Sequence, residues 1–291
     1  MPVNFNQKSQ KKRRPLHAQK YQNKGPNKSL GQHWLRDREI LDGIAVSAEI
    51  KNGDFVLEIG PGLGTLTSSL LKFSGSDGQV LAVEFDENLA HKLPAQFPGK
   101  NLEIINADFL EFDLDKLPNN YKVAANVPYY ITSKIVEKLL TSANKPAVAA
   151  LLVQKEVAER MVAEAGDLSI LAIATQIYAQ AELGDLVPRE FFTPPPKVDS
   201  QVVILKTRKQ NLLEEFNQKT GANLTEKQFF RAVKAGFAAK RKKISKSLSA
   251  NLALSREETL LNLEKCRISP DLRAQDLTIE NWLEMASTLT K

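Results

Sequence analysis

A single cysteine, Cys266, in 291 residues rules out an intrachain disulfide framework, and three scattered histidines offer no Cys/His cluster for a metal. No metal is expected, and Cys266 reads as structural. No apolar run approaches the roughly 18–20 residues that a membrane-spanning helix needs, and no charged-apolar-small leader opens the chain. These absences predict a soluble, cytoplasmic protein without a membrane partner. Acids are missing from residues 1–28, where Lys8, Lys11, Lys12, Arg13, Arg14, Lys20, Lys24 and Lys28 stand without one Asp or Glu. Those eight cations exceed the whole net charge of +6, so the rest of the chain is slightly acidic. This segment also lacks an apolar periodicity, and it is expected to be disordered when free and to meet a polyanion. RNA phosphate suits it. A solubility tail and an import signal at Lys11-Lys12-Arg13-Arg14 remain alternatives, while lysine richness without an amphipathic face disfavours a transit peptide.

What is present suffices for two domains, since 42% hydrophobic residues in 291 can build one ordinary core and a smaller one. The stretch from Lys28 to Leu35 reads as a loop closing onto a helix, in which Ile40, Leu41, Ile44, Ala45 and Ala48 recur at helical spacing. Asp54-Phe55-Val56-Leu57-Glu58-Ile59 reads as a strand, and Gly60-Pro61-Gly62-Leu63-Gly64 turns it into a helix near Thr65. Strand, glycine turn and helix make a nucleotide-binding crevice. A dinucleotide fingerprint would want its third glycine where Thr65 stands, and no phosphate-anchoring lysine follows to make a P-loop. Further strands are expected over 80–84, 102–108, 121–125 and 147–153, with helices from Ile131 and over 154–160, an alternation that predicts a parallel α/β sheet. Glu84 ends the second strand, where the ribose hydroxyls of an adenosine would lie, and Asp108 ends the third. Either acid alone is more readily a helix cap or a loop acid. Both, each at a strand end after a glycine turn, point to a nucleoside.

The fourth strand delivers Asn126-Val127-Pro128-Tyr129-Tyr130 to the same edge. Asn126 Oδ1 and the Val127 carbonyl are two acceptors beside an aromatic ring, a site for an amino group on a planar base. Two acceptors on the N–H groups favour positive charge building on that nitrogen in a transition state. A strand-ending turn is the competing reading.

The second half reads as a helix around 168–178, then an extended loop forced by Pro194, Pro195 and Pro196, then a strand over 201–205. From about Lys209 the pattern turns to a polar linker and helices. One long helix is expected over 227–248, with Phe229, Phe230, Val233, Phe237, Ile244 and Leu248 on one stripe. It carries eight Lys and Arg without an acid, an excess for a merely solvated face.

Asn126-Val127-Pro128-Tyr129, taken with Glu58-x-Gly60-x-Gly62-x-Gly64, resembles the signature of methyltransferases acting on exocyclic amines of nucleic-acid bases. Across roughly residues 28–291 the chain resembles the ribosomal RNA adenine dimethylase family, and in particular its small-subunit branch. Gly31-Gln32-His33-Trp34-Leu35 resembles the family's Gly-Gln-Asn/His-Phe-Leu, with Trp34 replacing the more usual Phe. Gln154-Lys155-Glu156-Val157-x-x-Arg160, Phe192-x-Pro194-x-Pro196-Lys197-Val198-x-Ser200 and Phe237-x-x-Lys240-Arg241-Lys242-Lys243 match its other motifs. The resemblance implies a Rossmann-like S-adenosylmethionine-dependent sheet over 29–208 and a smaller all-helical RNA-binding domain over 209–291. It implies a donor held by His33, Leu35, Gly60, Gly62 and Asn126, with Glu84 on the ribose and Asp108 on the adenine amine. Asn126, Val127 and Tyr129 would hold the target base, Phe192 would cover its second face, and Lys197, Lys240, Arg241, Lys242 and Lys243 would meet RNA phosphates. The implied reaction is dimethylation at N6 of two adjacent adenosines near the 3′ end of 16S rRNA, by a monomer acting in small-subunit biogenesis. The rivals are a large-subunit dimethylase and a non-catalytic assembly or transcription factor of the same fold. The basic helix and proline loop favour the small-subunit branch, and the intact Gly60/Glu84/Asp108/Asn126 set argues against a purely binding role.

Overall fold

The computed structural model describes residues 33–239 and 241–289. The basic segment 1–28 and Lys240, both singled out above for RNA, lie outside the described residues.

A short strand β1 (Trp34–Leu35) leads into α1 (Arg38–Ser47), whose first turn is capped by Asp37 accepting from the Ile40 amide. Then follow β2 (Phe55–Ile59), α2 (Thr65–Ser74), β3 (Gln79–Glu84), α3 (Glu87–Lys92), β4 (Leu102–Asn106), β5 (Lys122–Asn126), α4 (Thr132–Thr141), β6 (Val148–Gln154), α5 (Lys155–Met161) and α6 (Ile170–Gln176). Three strands complete this half: β7 (Ala179–Val187), β8 (Phe192–Thr193) and β9 (Ser200–Thr207). The main sheet runs β4-β3-β2-β5-β6-β9-β7. Alternate residues of its strands serve opposite faces. Leu57, Val123, Ala125 and Leu151 pack with Ile135 and Leu139 of α4 on one side. Val56, Ala124, Ala150 and Leu152 pack with Ile44 of α1 and Leu66 and Leu70 of α2 on the other. Burial on both faces is why the middle of β5, Val123 to Ala125, and β6 from Val148 to Val153 are unbroken apolar runs.

The strands expected to form a parallel sheet, β2 to β6, are parallel throughout, and the two later strands reverse, with β9 antiparallel to β6 and β7 antiparallel to β9. Strand β7 escapes a pattern reading because it is an edge strand: Gln180, Glu182 and Asp185 point outward and a register shift falls between Leu183 and Leu186. The proline loop also holds a strand. Phe192 and Thr193 precede the first proline, keep their amide protons, and pair with Leu35 and Trp34.

The remaining helices are α7 (Leu212–Thr220), α8 (Glu226–Phe237), α9 (Ile244–Leu252), α10 (Arg256–Lys265) and α11 (Ile279–Thr288). The single helix expected over 227–248 is therefore two, α8 and α9. The tertiary structure overrides the period: the Ile244 amide donates to the Leu272 carbonyl at 2.6 Å, which fixes a new helix start. Four consecutive cations at 240–243 would also repel along a continuous helix. The apolar stripe survives the break, because Phe229, Val233, Ile244 and Leu248 are fully buried together with Trp282. Gly236 permits this, since a Cβ there would lie 2.3 Å from the Trp282 ring. Among the described residues no helix is long and apolar enough to cross a membrane.

Candidate donor and base-binding site

The carboxyl ends of β2, β3, β4 and β5 open into one cavity. Gly60 and Gly62 form its floor, with φ of 66° and 57°, a left-handed backbone that a side chain would strain. Nothing stands within 4 Å of where a Gly60 Cβ would be, so this bare turn is free to cradle a ligand. Glu84 closes the next side. Its Oε2 accepts from the Gly62 amide at 2.9 Å and its Oε1 from the Asp86 amide at 2.8 Å, which ties the glycine turn to the end of β3. Burial raises the pKa of this carboxyl, while the two amides oppose the rise. Each carboxylate oxygen can accept more than one hydrogen bond, so Glu84 keeps capacity for a pair of ribose hydroxyls. Asp108 lines the same cavity beyond β4, and its Oδ1 accepts from the Leu110 amide at 2.8 Å.

Asn126 sits at the end of β5 and donates its Nδ2–H to the His33 carbonyl at 3.1 Å. Since that carbonyl can only accept, the amide orientation is determined and Oδ1 remains as an acceptor. Val127 is held by its own amide, which donates to the Leu152 carbonyl of β6 at 3.1 Å. Tyr129 follows on a single 3-10 turn over Tyr129–Ile131, with its hydroxyl 2.6 Å from Ser200 Oγ and its ring stacked 5.9 Å from that of His33. Burial raises its phenol pKa. His33 Nδ1 lies 2.7 Å from the Pro194 carbonyl, so the loop before β1, the proline loop and the Asn126 turn are joined around one site.

Of the residues expected here, His33, Leu35, Gly60, Gly62, Glu84, Asp108, Asn126, Val127 and Tyr129 all line this cavity. Phe192 does not. It is 2% exposed, lies opposite Leu35, and packs in the core beside Val187 and Val202. The expectation that it covers a second face of the base finds no support in this placement: its ring is packed in the core, and the exposed neighbour is Phe191, at 42%. Lys197, Arg241, Lys242 and Lys243 are exposed, apart from the cavity. Lys243 is engaged with Asp271 at 2.7 Å.

Two participants were not singled out from sequence as site residues. Ser200, last of the Phe-to-Ser motif, anchors the Tyr129 hydroxyl. Glu58 lines the cavity at 1% exposure, and burial, reinforced by the nearby Glu84 charge, pushes its carboxyl up to about 8. Thr67 lies close enough to favour the ionised form, yet neither carboxyl oxygen has a well-formed hydrogen bond. A lone acid inside the apolar run of β2 was its available signal.

The chain is similar to known proteins over most of its length. The ribosomal RNA small subunit methyltransferase A of Dehalococcoides mccartyi is 36% identical over 268 residues, covering 91% of this chain and 88% of the relative. Its namesake from a Nostoc species is 38% identical over 279 residues, covering 91% and 98%. Among solved structures, the 23S rRNA methyltransferase ErmE superimposes with a TM-score of 0.69 at 29% identity, covering 89% of this chain and all of that one. A dimethyladenosine transferase from Plasmodium falciparum gives 0.70 at 27% identity, covering 87% and 96%. These relatives support S-adenosylmethionine as methyl donor, and the bare glycine turn with two acids beyond it fits that molecule's amino-acid and adenosine ends. A model of the ribosomal RNA adenine dimethylase family matches residues 23–291, and with these relatives it shows that the chain belongs to that family of methyltransferases.

Proposed function

We propose that this protein dimethylates N6 of two adjacent adenosines near the 3′ end of 16S rRNA, using S-adenosylmethionine, during small-subunit biogenesis. The observation that carries the reading is Asn126: its Nδ2 is committed to the His33 carbonyl, and its Oδ1 is left free on the wall that the glycine turn, Glu84 and Asp108 share. The donor supplies an electrophilic methyl group on a sulfonium sulfur. Asn126 Oδ1 and the Val127 carbonyl accept the two N6–H groups, so the nitrogen lone pair is drawn out of the ring and toward that methyl. The nitrogen would gain the methyl as the methyl–sulfur bond breaks with its electron pair staying on sulfur, and it would then give up its proton to solvent. Tyr129 stacks on the base, a contact worth about 1–3 kcal/mol, and its anchored hydroxyl keeps the ring in place. After one transfer only one N6–H remains, and stacking takes a larger share in holding the base.

Glu84 takes the ribose, Asp108 the adenine amine, and His33 and Leu35 close over the donor. The exposed Lys197, Arg241, Lys242 and Lys243 fit phosphate contacts that position the RNA without reading its sequence. Residues 209–291 form the RNA-binding helical part, and residues 1–28 add further phosphate contacts. The reading implies a cytoplasmic monomer. The large-subunit alternative rests on the likeness to ErmE; the relatives named for the small subunit are more similar in sequence. Methyl transfer to under-methylated small subunits, with large subunits alongside, tests it: N6,N6-dimethyladenosine in small-subunit RNA alone is expected, and label in large-subunit RNA would overturn the assignment.

A further inference from the structure

Two described side chains on the cavity wall carry buried polar atoms without a partner, the carboxyl of Glu58 and the indole Nε1 of Trp34. A carboxyl in that position escapes part of the penalty when burial raises its pKa and favours the protonated form, the direction in which burial moves Glu58. The indole has no such escape, because its N–H only donates and does not titrate. Orphaned buried donors are rare in folded proteins and ask for an explanation. A phenylalanine would fill this place without leaving one.

We propose that Trp34 Nε1 donates a hydrogen bond to the α-carboxylate at the amino-acid end of the methyl donor. The inference rests on the donor assignment above and adds a residue to it.

Three observations converge on that group. First, a Cβ placed on Gly62 would lie 4.0 Å from both Trp34 Cδ1 and Nε1, so the indole edge borders the glycine turn. Second, Glu84 and Asp108 stand at the ends of β3 and β4, which seats the adenosine on that side of the turn. In the strand order β4-β3-β2-β5 the amino-acid end then lies over β2 and β5. Trp34 is on that side, next to His33, whose carbonyl holds Asn126 of β5. Third, the charge is right. The ten-residue helix α2 starts at Thr65 behind Gly64, which supplies no side-chain cap, so the positive end of its backbone dipole favours an anion. Burial raises the pKa of the neighbouring Glu58, which lessens the opposition of that carboxyl to an anion.

Indole resonances of the ¹⁵N-labelled protein provide the test, because the chain has two tryptophans and Trp282 is buried among the C-terminal helices. S-adenosylmethionine should move the Trp34 N–H signal downfield, and decarboxylated S-adenosylmethionine, which keeps the sulfonium and the amine, should leave it nearly in place. In calorimetric titrations Trp34→Phe should bind the intact donor about tenfold more weakly and the decarboxylated one within about twofold of wild type. An indole signal unmoved by the intact donor, or equal weakening for both compounds, would overturn the contact. A wild-type protein that bound neither compound would instead overturn the donor assignment itself.

Discussion

Asn126 and His33 are joined by a 3.1 Å hydrogen bond from the Asn126 side-chain amide to the His33 main-chain carbonyl, across 93 residues of sequence. The bond decides which atom of Asn126 faces the cavity. It also ties the Asn126 turn to the segment before β1, which under the proposed function would position the two halves of the reaction together.

Replacing Asn126 tests both consequences. Asn126→Ala should lower single-turnover methyl transfer by about a hundredfold or more, with donor affinity changed only a few-fold. Asn126→Asp should fare no better, since a carboxylate cannot donate to the His33 carbonyl. Near-normal turnover in the aspartate variant would show that the orientation is not set by this bond.

Glu84→Ala and Asp108→Ala should act on the donor first. Loss of hydrogen bonds to a charged acceptor should weaken donor binding about tenfold or more. Glu84→Ala should cost more than Asp108→Ala, because Glu84 also clamps the Gly62 amide. Calorimetric titration of each variant with the donor reads this order, and unchanged affinities would mean that the adenosine lies elsewhere.

Glu58 should make stability fall with rising pH. Its carboxyl titrates near 8 in the folded protein and near 4.5 when unfolded, so the folded state holds the extra proton between those values. Within that window stability should drop by up to about 1.4 kcal/mol per pH unit. Glu58→Gln has no proton to lose. Urea midpoints at pH 5.5 and 7.5 should therefore diverge, with wild type losing ground to the variant at the higher pH; parallel midpoints would place an ionised Glu58 in the fold.

Phe192→Ala should behave as a core deletion. A buried phenylalanine cut to alanine costs about 3–5 kcal/mol, enough to lower Tm by roughly 10 °C in a chain of this size. Both methylation steps should slow together as the pairing of β1 with β8 loosens. Selective accumulation of N6-monomethyladenosine at normal stability would return Phe192 to the base.

Much of the cavity was legible because it is local. A strand, a glycine turn and a helix occupy consecutive residues from Asp54 to Ser74, Glu84 closes β3, and Asp108 follows just beyond β4. Period and turn chemistry act over a few residues, so they can be read without a fold. The Asn126 turn was legible for the same reason, since its acceptors and its aromatic ring are neighbours in the chain.

The rest depended on contacts between distant segments. Phe192 and Phe191 are equally aromatic in sequence, and only the pairing of β8 with β1 buries one and exposes the other. The stripe from Phe229 to Leu248 fits one helix as well as two until Leu272 captures the Ile244 amide. Edge strand β7 shows no clean alternation because solvent, and not a core, takes much of it. The sequence by itself determined which chemical groups the site contains and which strand ends carry them. Tertiary structure alone decided which atom of Asn126 is free, which aromatic ring is available and which acid is buried, because each depends on a partner or a dielectric that arrives from elsewhere in the chain.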